Sequence, residues 1–197
     1  MKKTAVVITL IMALGILTGC AGNQGLIKPM STSTRQDVFQ DYSAATPIPP
    51  GYACLRISSS LKTHLPGIYS EKDIHGTPEY KLLVNIDGQA VQLVGSLREE
   101  RREPHPLHDP EAGHGMRYHF QTELHLKSGM HKIFISLPFD DVAVNREIDL
   151  TAEKCNILLL DPVYRLARDK QRIGFYTHTS FQGGIRGFRM IYNGKNL

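Results

Sequence analysis

The sequence lacks the features that most directly identify an enzyme or a membrane-spanning protein. It contains no tryptophan. It also has no G-x-S-x-G, H-E-x-x-H, phosphate-loop or dinucleotide motif, so the common signatures of hydrolases, zinc proteases and nucleotide-dependent enzymes are missing. The uncharged stretch Ala5 to Leu17 is shorter than the roughly 20 apolar residues that a spanning helix needs. We therefore predict a protein that is not an enzyme and that has no cofactor.

The N-terminus has the three parts of an export signal. Lys2 and Lys3 precede the apolar stretch, which ends in Leu17-Thr18-Gly19-Cys20. These four residues resemble the lipobox that the bacterial lipoprotein signal peptidase cleaves. The resemblance implies that residues 1–19 are removed and that Cys20 carries a thioether-linked diacylglycerol and an acylated amine. The alternative is an ordinary secretory signal in which the cysteine is incidental.

Lipidation would decide the compartment and the partners of the protein. Two or three acyl chains form a stable anchor, because each buried methylene contributes about 0.8 kcal/mol. Ala21 follows the cysteine, where an aspartate usually signals inner-membrane retention in Gram-negative lipoproteins. The resemblance therefore implies the outer membrane, with the domain facing the periplasm. We expect contact with the membrane through the lipid, an envelope protein or glycan as partner, and no nucleic acid.

The mature chain divides into a polar N-terminal segment and a β domain. Residues 20–50 contain Ser31-Thr32-Ser33-Thr34 and Pro47-Ile48-Pro49-Pro50, a composition typical of a disordered tether. From residue 51 to residue 197 the apolar residues alternate with polar ones. The clearest example is Met116–Leu126, which predicts a half-buried strand with His119 and His125 on its exposed face.

Many short strands are predicted in this domain, with turns between them. The other strand candidates are Tyr52–Ser58, Leu82–Asp87, Ala90–Gly95, His131–Leu137, Val144–Leu150, Cys155–Leu160, Arg172–His178 and Ile185–Tyr192. Asp87-Gly88 predicts a hairpin turn, and the turn at Lys127-Ser128-Gly129-Met130 predicts a second hairpin. The pattern favours an all-β fold, an antiparallel β-sandwich that follows the signal helix and the tether.

Two segments of the domain resemble a known type of envelope module. Val84-Asn85-Ile86-Asp87-Gly88 and Leu126-Lys127-Ser128-Gly129-Met130-His131-Lys132-Ile133 are similar in spacing to PEGA-type and other immunoglobulin-like modules. The similarity covers roughly residues 84–160 and lacks the Pro-Glu-Gly-Ala signature. It implies an immunoglobulin-like architecture and assigns no functional residue.

Cys54 and Cys155 are the two cysteines that remain after Cys20. In an oxidising periplasm they are candidates for a disulfide, which on the chain-entropy model would contribute roughly 4 to 5 kcal/mol for a loop of about 100 residues. The alternative is a pair of buried free thiols, since cysteine is among the most buried residue types.

The segment from Arg98 to Gly115 is the most unusual in composition. A run of alternating charges precedes His105, His108, Asp109 and His114. Histidine and carboxylate side chains on a loop between strands are candidate ligands for zinc, copper or nickel. A metal-binding lipoprotein that uses this His105–His114 loop is therefore our alternative function. A solvent-exposed polar loop without a metal is the simpler interpretation.

The C-terminal segment is basic, with seven Lys and Arg against one Asp from Val163 onward. Aromatic residues lie among these cations, and we take Arg172, Tyr176, Arg186, Phe188 and Arg189 as a candidate contact surface. Alternatively, the aromatics belong to the core and the charges to solvated strand faces. Our first functional hypothesis is an envelope lipoprotein with a non-enzymatic binding or scaffolding domain.

Overall fold

The fold is described by a computed structural model that covers residues 22–41, 47–103, 109–166 and 179–197. Most of the described elements are strands. In chain order they are α1 (Gln24–Met30), β1 (Phe39–Asp41), β2 (Tyr52–Thr63), β3 (Lys81–Ile86), β4 (Gln89–Val94), β5 (Ser96–Arg102), β6 (Gly113–Lys127), β7 (Gly129–Leu137), β8 (Val142–Leu150), β9 (Cys155–Tyr164), a 3-10 turn (Phe181–Gly183), β10 (Ile185–Tyr192) and β11 (Lys195–Asn196). Within these ranges, no helix is long and apolar enough to cross a membrane.

The strands form two sheets. Sheet 1 has the order β1-β6-β2-β9-β10-β11, and β5 pairs with the opposite half of β6 from β1. Its β2 and β9 run parallel, whereas its other pairs are antiparallel. Sheet 2 has the antiparallel order β4-β3-β7-β8. The predicted mostly β, sandwich-like fold is thus confirmed, and so is the hairpin at Asp87-Gly88, which joins β3 to β4.

The main core contains apolar side chains from both sheets. Leu55 and Ile57 of β2 in sheet 1, and Val84 of β3 and Ile135 of β7 in sheet 2, belong to this core and are fully buried. Removing such a side chain from water contributes about 1.5 to 3 kcal/mol. The period-two pattern of the sequence follows from this arrangement, because one face of each strand points to the core.

Residues 22–41 are packed against the domain, so the structure differs from the disordered tether expected over 20–50. Ile27 of α1 is 3% exposed and packs with Leu83 and Phe134 on the outer face of sheet 2. The chain then passes the β3–β4 turn, where the Thr34 N–H donates to the Gly88 carbonyl at 2.8 Å. It ends in β1, whose Phe39 enters the main core. A few spaced apolar residues are sufficient to fix this otherwise polar segment.

The predicted hairpin at Lys127-Ser128-Gly129-Met130 is wrong. β6 pairs with strands of sheet 1, whereas β7 pairs with β3 and β8 in sheet 2. The chain therefore crosses from one sheet to the other at this point. Gly129 has a φ of +117°, a left-handed conformation that other residues rarely adopt.

Two further expectations, one about a loop and one about an exposed histidine, also need correction. Arg98–Gly115 is not a loop throughout, because Ser96–Arg102 is β5 and pairs with β6 as a mostly exposed strand. Charged side chains keep such a strand soluble. His125 is 2% exposed rather than on the solvent face, because β1 adds to β6 there and places Gln40 opposite His125.

Cys54 and Cys155 lie opposite each other on the parallel strands β2 and β9 and are joined by a disulfide. Cys54 is buried, and Cys155 is the first residue of its strand. The bond links two strands in the middle of sheet 1. It therefore closes a large loop that contains all of sheet 2.

Candidate functional site

A solvent-open cleft of about 360 Å³ lies at one end of the sheets. Four segments form most of its wall: the connection 64–80 between β2 and β3, the turn 138–141 between β7 and β8, the chain at Arg165, and the 3-10 turn. Gly76 helps to fold the first of these. A Cβ atom there would lie 2.7 Å from the Pro66 ring, and the φ of +77° also favours glycine.

Two histidines flank one aspartate inside this cleft. The His64 Nε2 atom lies 3.2 Å from Asp73 Oδ2, and the His75 Nδ1 atom lies 2.6 Å from Asp73 Oδ1. The three side chains are between 9% and 12% exposed. One donor atom from each residue lies within 4.8 Å of the other two, so these residues could hold a metal ion.

Asp140 and Tyr80 support the cluster from the side of the core. The His75 Nε2 atom lies 3.2 Å from Asp140 Oδ1, and the Tyr80 hydroxyl donates to the same carboxylate. Burial lowers the pKa of His75, but the hydrogen bond and charge of Asp140, followed by those of Asp73, outweigh it and raise that pKa. Burial also raises the pKa of Tyr80, so this hydroxyl stays protonated and donates.

Aromatic and apolar side chains lie around the opening of the cleft. The Tyr69 ring is 4.6 Å from the His64 ring, and the Phe139 ring is 5.0 Å from the His75 ring, between ring centroids. Tyr69 and Phe139 are 63% and 46% exposed, and the neighbouring Ile68 is 56% exposed. The rim is thus apolar, whereas the inner wall is polar.

A buried charged network borders the cleft at the end of β2. Lys62 is fully buried, and its ammonium donates to the carbonyls of Glu111 and Gly113 at 2.9 and 2.7 Å. Arg117 donates to both carboxylate oxygens of Glu100, at 3.1 and 2.8 Å. The Arg117 hydrogen bonds lower the pKa of Glu100 to about 2. These charges neutralise one another, which indicates a structural role.

The predicted metal loop is not assembled as a site by its described members. His105 and His108 lie outside the described residues. Asp109 pairs with Arg102 at 3.4 Å, and its Oδ1 accepts the Glu111 N–H. His114 lies on β6 and pairs with Glu99 of β5. Asp109 and His114 thus interact with separate partners.

The predicted contact surface is likewise divided. Arg172 and Tyr176 lie outside the described residues. Phe188 packs against the main core, so it is partly structural. Arg186 and Arg189 are exposed on β10, and Arg189 pairs with Asp161 at 3.4 Å. Cys20, the predicted lipid attachment residue, lies outside the described residues as well.

Sequence reasoning missed His64, Asp73, His75 and Asp140. One signal was available, because two histidines and an aspartate occur within residues 64–75, a segment with proline and glycine but no strand periodicity. Asp140 could not be found in this way. It reaches the site only because the β7–β8 turn folds against the β2–β3 connection, 65 residues away along the chain.

The arrangement is suited to binding, since a small cleft presents imidazole and carboxylate groups behind an apolar rim. Comparison of the chain with protein-family models, with curated proteins and with solved structures finds no match. Function is therefore inferred from the residues of the chain itself.

Proposed function

We propose that the chain is a lipid-anchored envelope protein whose β domain is a non-enzymatic binding or scaffolding module, held close to its membrane. The proposal includes cleavage before Cys20, lipid on that cysteine, and an outer-membrane location facing the periplasm. The N-terminal charge, the apolar stretch and the Leu17-Thr18-Gly19-Cys20 sequence support the anchor. Two sheets around one core support an immunoglobulin-like sandwich as its finer architecture.

The observation that carries the proposal is the packing of the residues that immediately follow Cys20. The Asn23 Nδ2 atom donates to the Asp141 carbonyl at 2.7 Å, and the Gln24 Nε2 atom donates to the Pro138 carbonyl at 2.9 Å. Both acceptors belong to the β7–β8 turn, which also carries Phe139 and Asp140 of the cleft. The first described residues of the chain therefore lie at the end of the fold that contains the cleft.

Distance then limits how far the domain can stand from a lipid on Cys20. Only Ala21 separates Cys20 from Gly22, so two Cα steps span at most about 7 Å. The exposed rim residues Tyr69 and Phe139, and Ile68 next to Tyr69 in the chain, would lie near the headgroups, a region that favours aromatic side chains. A partner of the cleft would thus be an envelope component that is reached at the membrane surface.

Processing and fractionation test the anchor. Globomycin, which inhibits the lipoprotein signal peptidase, should cause the precursor to accumulate, and Cys20→Ser should prevent lipidation and release the domain from the membrane fraction. An unchanged mature size and unchanged fractionation under both treatments would refute the anchor.

Photo-crosslinking tests the close placement. A photoreactive amino acid at position 139 should capture lipid, whereas one at position 194, at the opposite end of β10 from Ile185, should capture much less. Equal lipid capture at the two positions would contradict a membrane-proximal cleft.

A further inference from the structure

We propose that His64, Asp73 and His75 bind one zinc ion at the inner wall of the cleft. This site is distinct from the His105–His114 loop suggested by the sequence, and it does not depend on the proposed anchor. Two imidazole nitrogens and one carboxylate oxygen form a ligand set that suits zinc, with a fourth position left for water or an external ligand.

The spacing of the donor atoms fits a single ion. Zinc bonds of about 2.0 to 2.2 Å place tetrahedral ligand atoms roughly 3.3 to 3.6 Å apart. The His64 Nε2 atom is 3.2 Å from Asp73 Oδ2, close to this spacing. His75 Nδ1 is closer to the carboxylate, at 2.6 Å from Oδ1, so this contact must lengthen by about 0.7 to 1 Å on binding.

The outer nitrogens of both rings are occupied in the way that metal-bound histidines require. His64 Nδ1 lies 2.9 Å from the Leu65 carbonyl, which can only accept a hydrogen bond. His75 Nε2 lies 3.2 Å from the Asp140 carboxylate. Each outer nitrogen therefore has an acceptor for a ring proton, so both rings can present the inner nitrogen to a metal. A carboxylate or a backbone carbonyl behind a ligating histidine is the usual second partner in metal sites.

The inner nitrogens are then acceptors that face another acceptor. With the ring protons on the outer nitrogens, His64 Nε2 and His75 Nδ1 each direct a lone pair at the Asp73 carboxylate, which is unfavourable unless a cation lies between them. Additional protons on the rings can fill this role, and so can one metal ion that contacts all three groups. The ion satisfies the three acceptors at once, because their donor atoms already converge within 4.8 Å.

The neighbouring cations of the cleft are directed to other acceptors. The Lys62 ammonium donates to the carbonyls of Glu111 and Gly113. Arg165 Nε donates to the Ile185 carbonyl at 3.1 Å, and its Nη2 donates to the Asp140 carbonyl at 3.3 Å. Among the described residues, Asp73 and Asp140 are the carboxylates that pair with the two rings, and they favour a cation at this position.

The site also has limited but real access to solvent. Its three side chains retain between 9% and 12% of their exposure, and they line a cleft that is open to solvent. A small ion and one water can therefore enter, whereas Tyr69 and Phe139 restrict access at the rim. An open fourth position in a partly dry cleft is the arrangement through which zinc binds an external anion or carbonyl.

Zinc itself is the probe in the test. The full chain, purified in detergent and stripped with a chelator, should take up one zinc per chain after dialysis, measured by mass spectrometry of the metal and by isothermal titration. Asp73→Asn, which keeps the shape of the side chain, should weaken binding at least about 100-fold, and His64→Gln should do the same. Asp140→Asn, which alters the second partner of His75, should weaken it by about 10 to 100-fold.

A matched control separates this site from the alternative loop. The triple variant His105→Ala/His108→Ala/His114→Ala removes an equal or larger number of imidazoles and should bind zinc as the parent does. Circular dichroism and the melting temperature without zinc show whether each variant is folded. If a histidine variant is unstable, zinc binding by Asp73→Asn and Asp140→Asn still tests the site. The proposal is overturned by uptake below about 0.1 zinc per chain, by undiminished binding in folded Asp73→Asn, or by loss of binding in the triple variant alone.

Discussion

Replacing Ile27 with alanine should detach the N-terminal segment from sheet 2 while leaving the β domain folded. Ile27 is 3% exposed in a small cluster with Leu83 and Phe134 that is separate from the main core. Truncation of a buried isoleucine costs about 2 to 5 kcal/mol, and we use about 2 kcal/mol because the cluster lies at the surface. Since about 1.4 kcal/mol corresponds to a factor of ten, the detached population should rise by roughly 30-fold.

Limited trypsin digestion measures this population at Arg35, which lies in the segment and is followed by Gln36, whereas Pro29 protects the bond after Lys28. Under conditions in which cleavage follows the open population, the rate of cleavage after Arg35 should rise by about 30-fold in Ile27→Ala. Leu26→Ala is the matched control, since Leu26 is 59% exposed and its truncation should leave the rate within about twofold of the parent. Equal cleavage of Ile27→Ala and the parent would refute the docking of α1 on sheet 2.

Three further predictions concern the domain itself. Because the Arg117 hydrogen bonds hold the pKa of Glu100 at about 2 in the fold, against 4.5 ordinarily, the stability from this group should be complete above about pH 5 and lost as pH falls toward 2. Denaturant titrations at a series of pH values should show this loss of unfolding free energy, and the loss should be smaller in Glu100→Gln. If stability falls with pH in the variant as it does in the parent, the pairing is contradicted. Lys62→Ala should lower the free energy of unfolding by about 3 to 5 kcal/mol, because two carbonyls lose their buried donor. A free energy of unfolding within about 1 kcal/mol of the parent's would argue against this role. The double variant Cys54→Ser/Cys155→Ser should have a free energy of unfolding about 4 to 5 kcal/mol lower than the parent, on the chain-entropy model for a separation of 101 residues. Two alkylatable thiols in the native parent would show that the bond is not formed.

The class of fold could be predicted because strand periodicity is a local property. Met116–Leu126 alternates through a strand that extends over Gly113–Lys127, and Ile185–Tyr192 was predicted with the bounds that the structure has. Which strands pair with each other is not a local property of the sequence. Gly129 allows the chain either to turn back on the same sheet or to cross to the other, and the two outcomes have the same alternation on both sides.

Segments without clear periodicity were predicted less well. Ser96–Arg102 has too much charge to resemble a half-buried strand, yet it pairs with β6, because an exposed edge needs backbone partners more than apolar side chains. Residues 22–41 are polar overall, but Ile27 and Phe39 are spaced so that each reaches a separate apolar cluster. Composition averages over such single anchors and cannot detect them.

The candidate site was missed for a related reason. His64 and His75 occur in a connection between strands, where no pattern specifies which side chains converge. Their outer nitrogens face the Leu65 carbonyl, which is local, and the Asp140 carboxylate, which is not. The histidines that attracted attention in the sequence were clustered more densely, but density along the chain is not proximity in space.

The packing of residues 22–38 has a mechanical consequence if Cys20 carries the lipid. A pulling force on the domain would enter at Gly22 and would load the hydrogen bonds of Asn23 and Gln24 and the contact of Ile27 one after another, as in peeling. The strands, cross-linked between Cys54 and Cys155, would stay intact meanwhile. These residues would have a contour length of roughly 55 Å once released, at about 3.3 Å per residue. The segment would therefore act as a stored extension that lets a domain held close to the membrane move away from it under load.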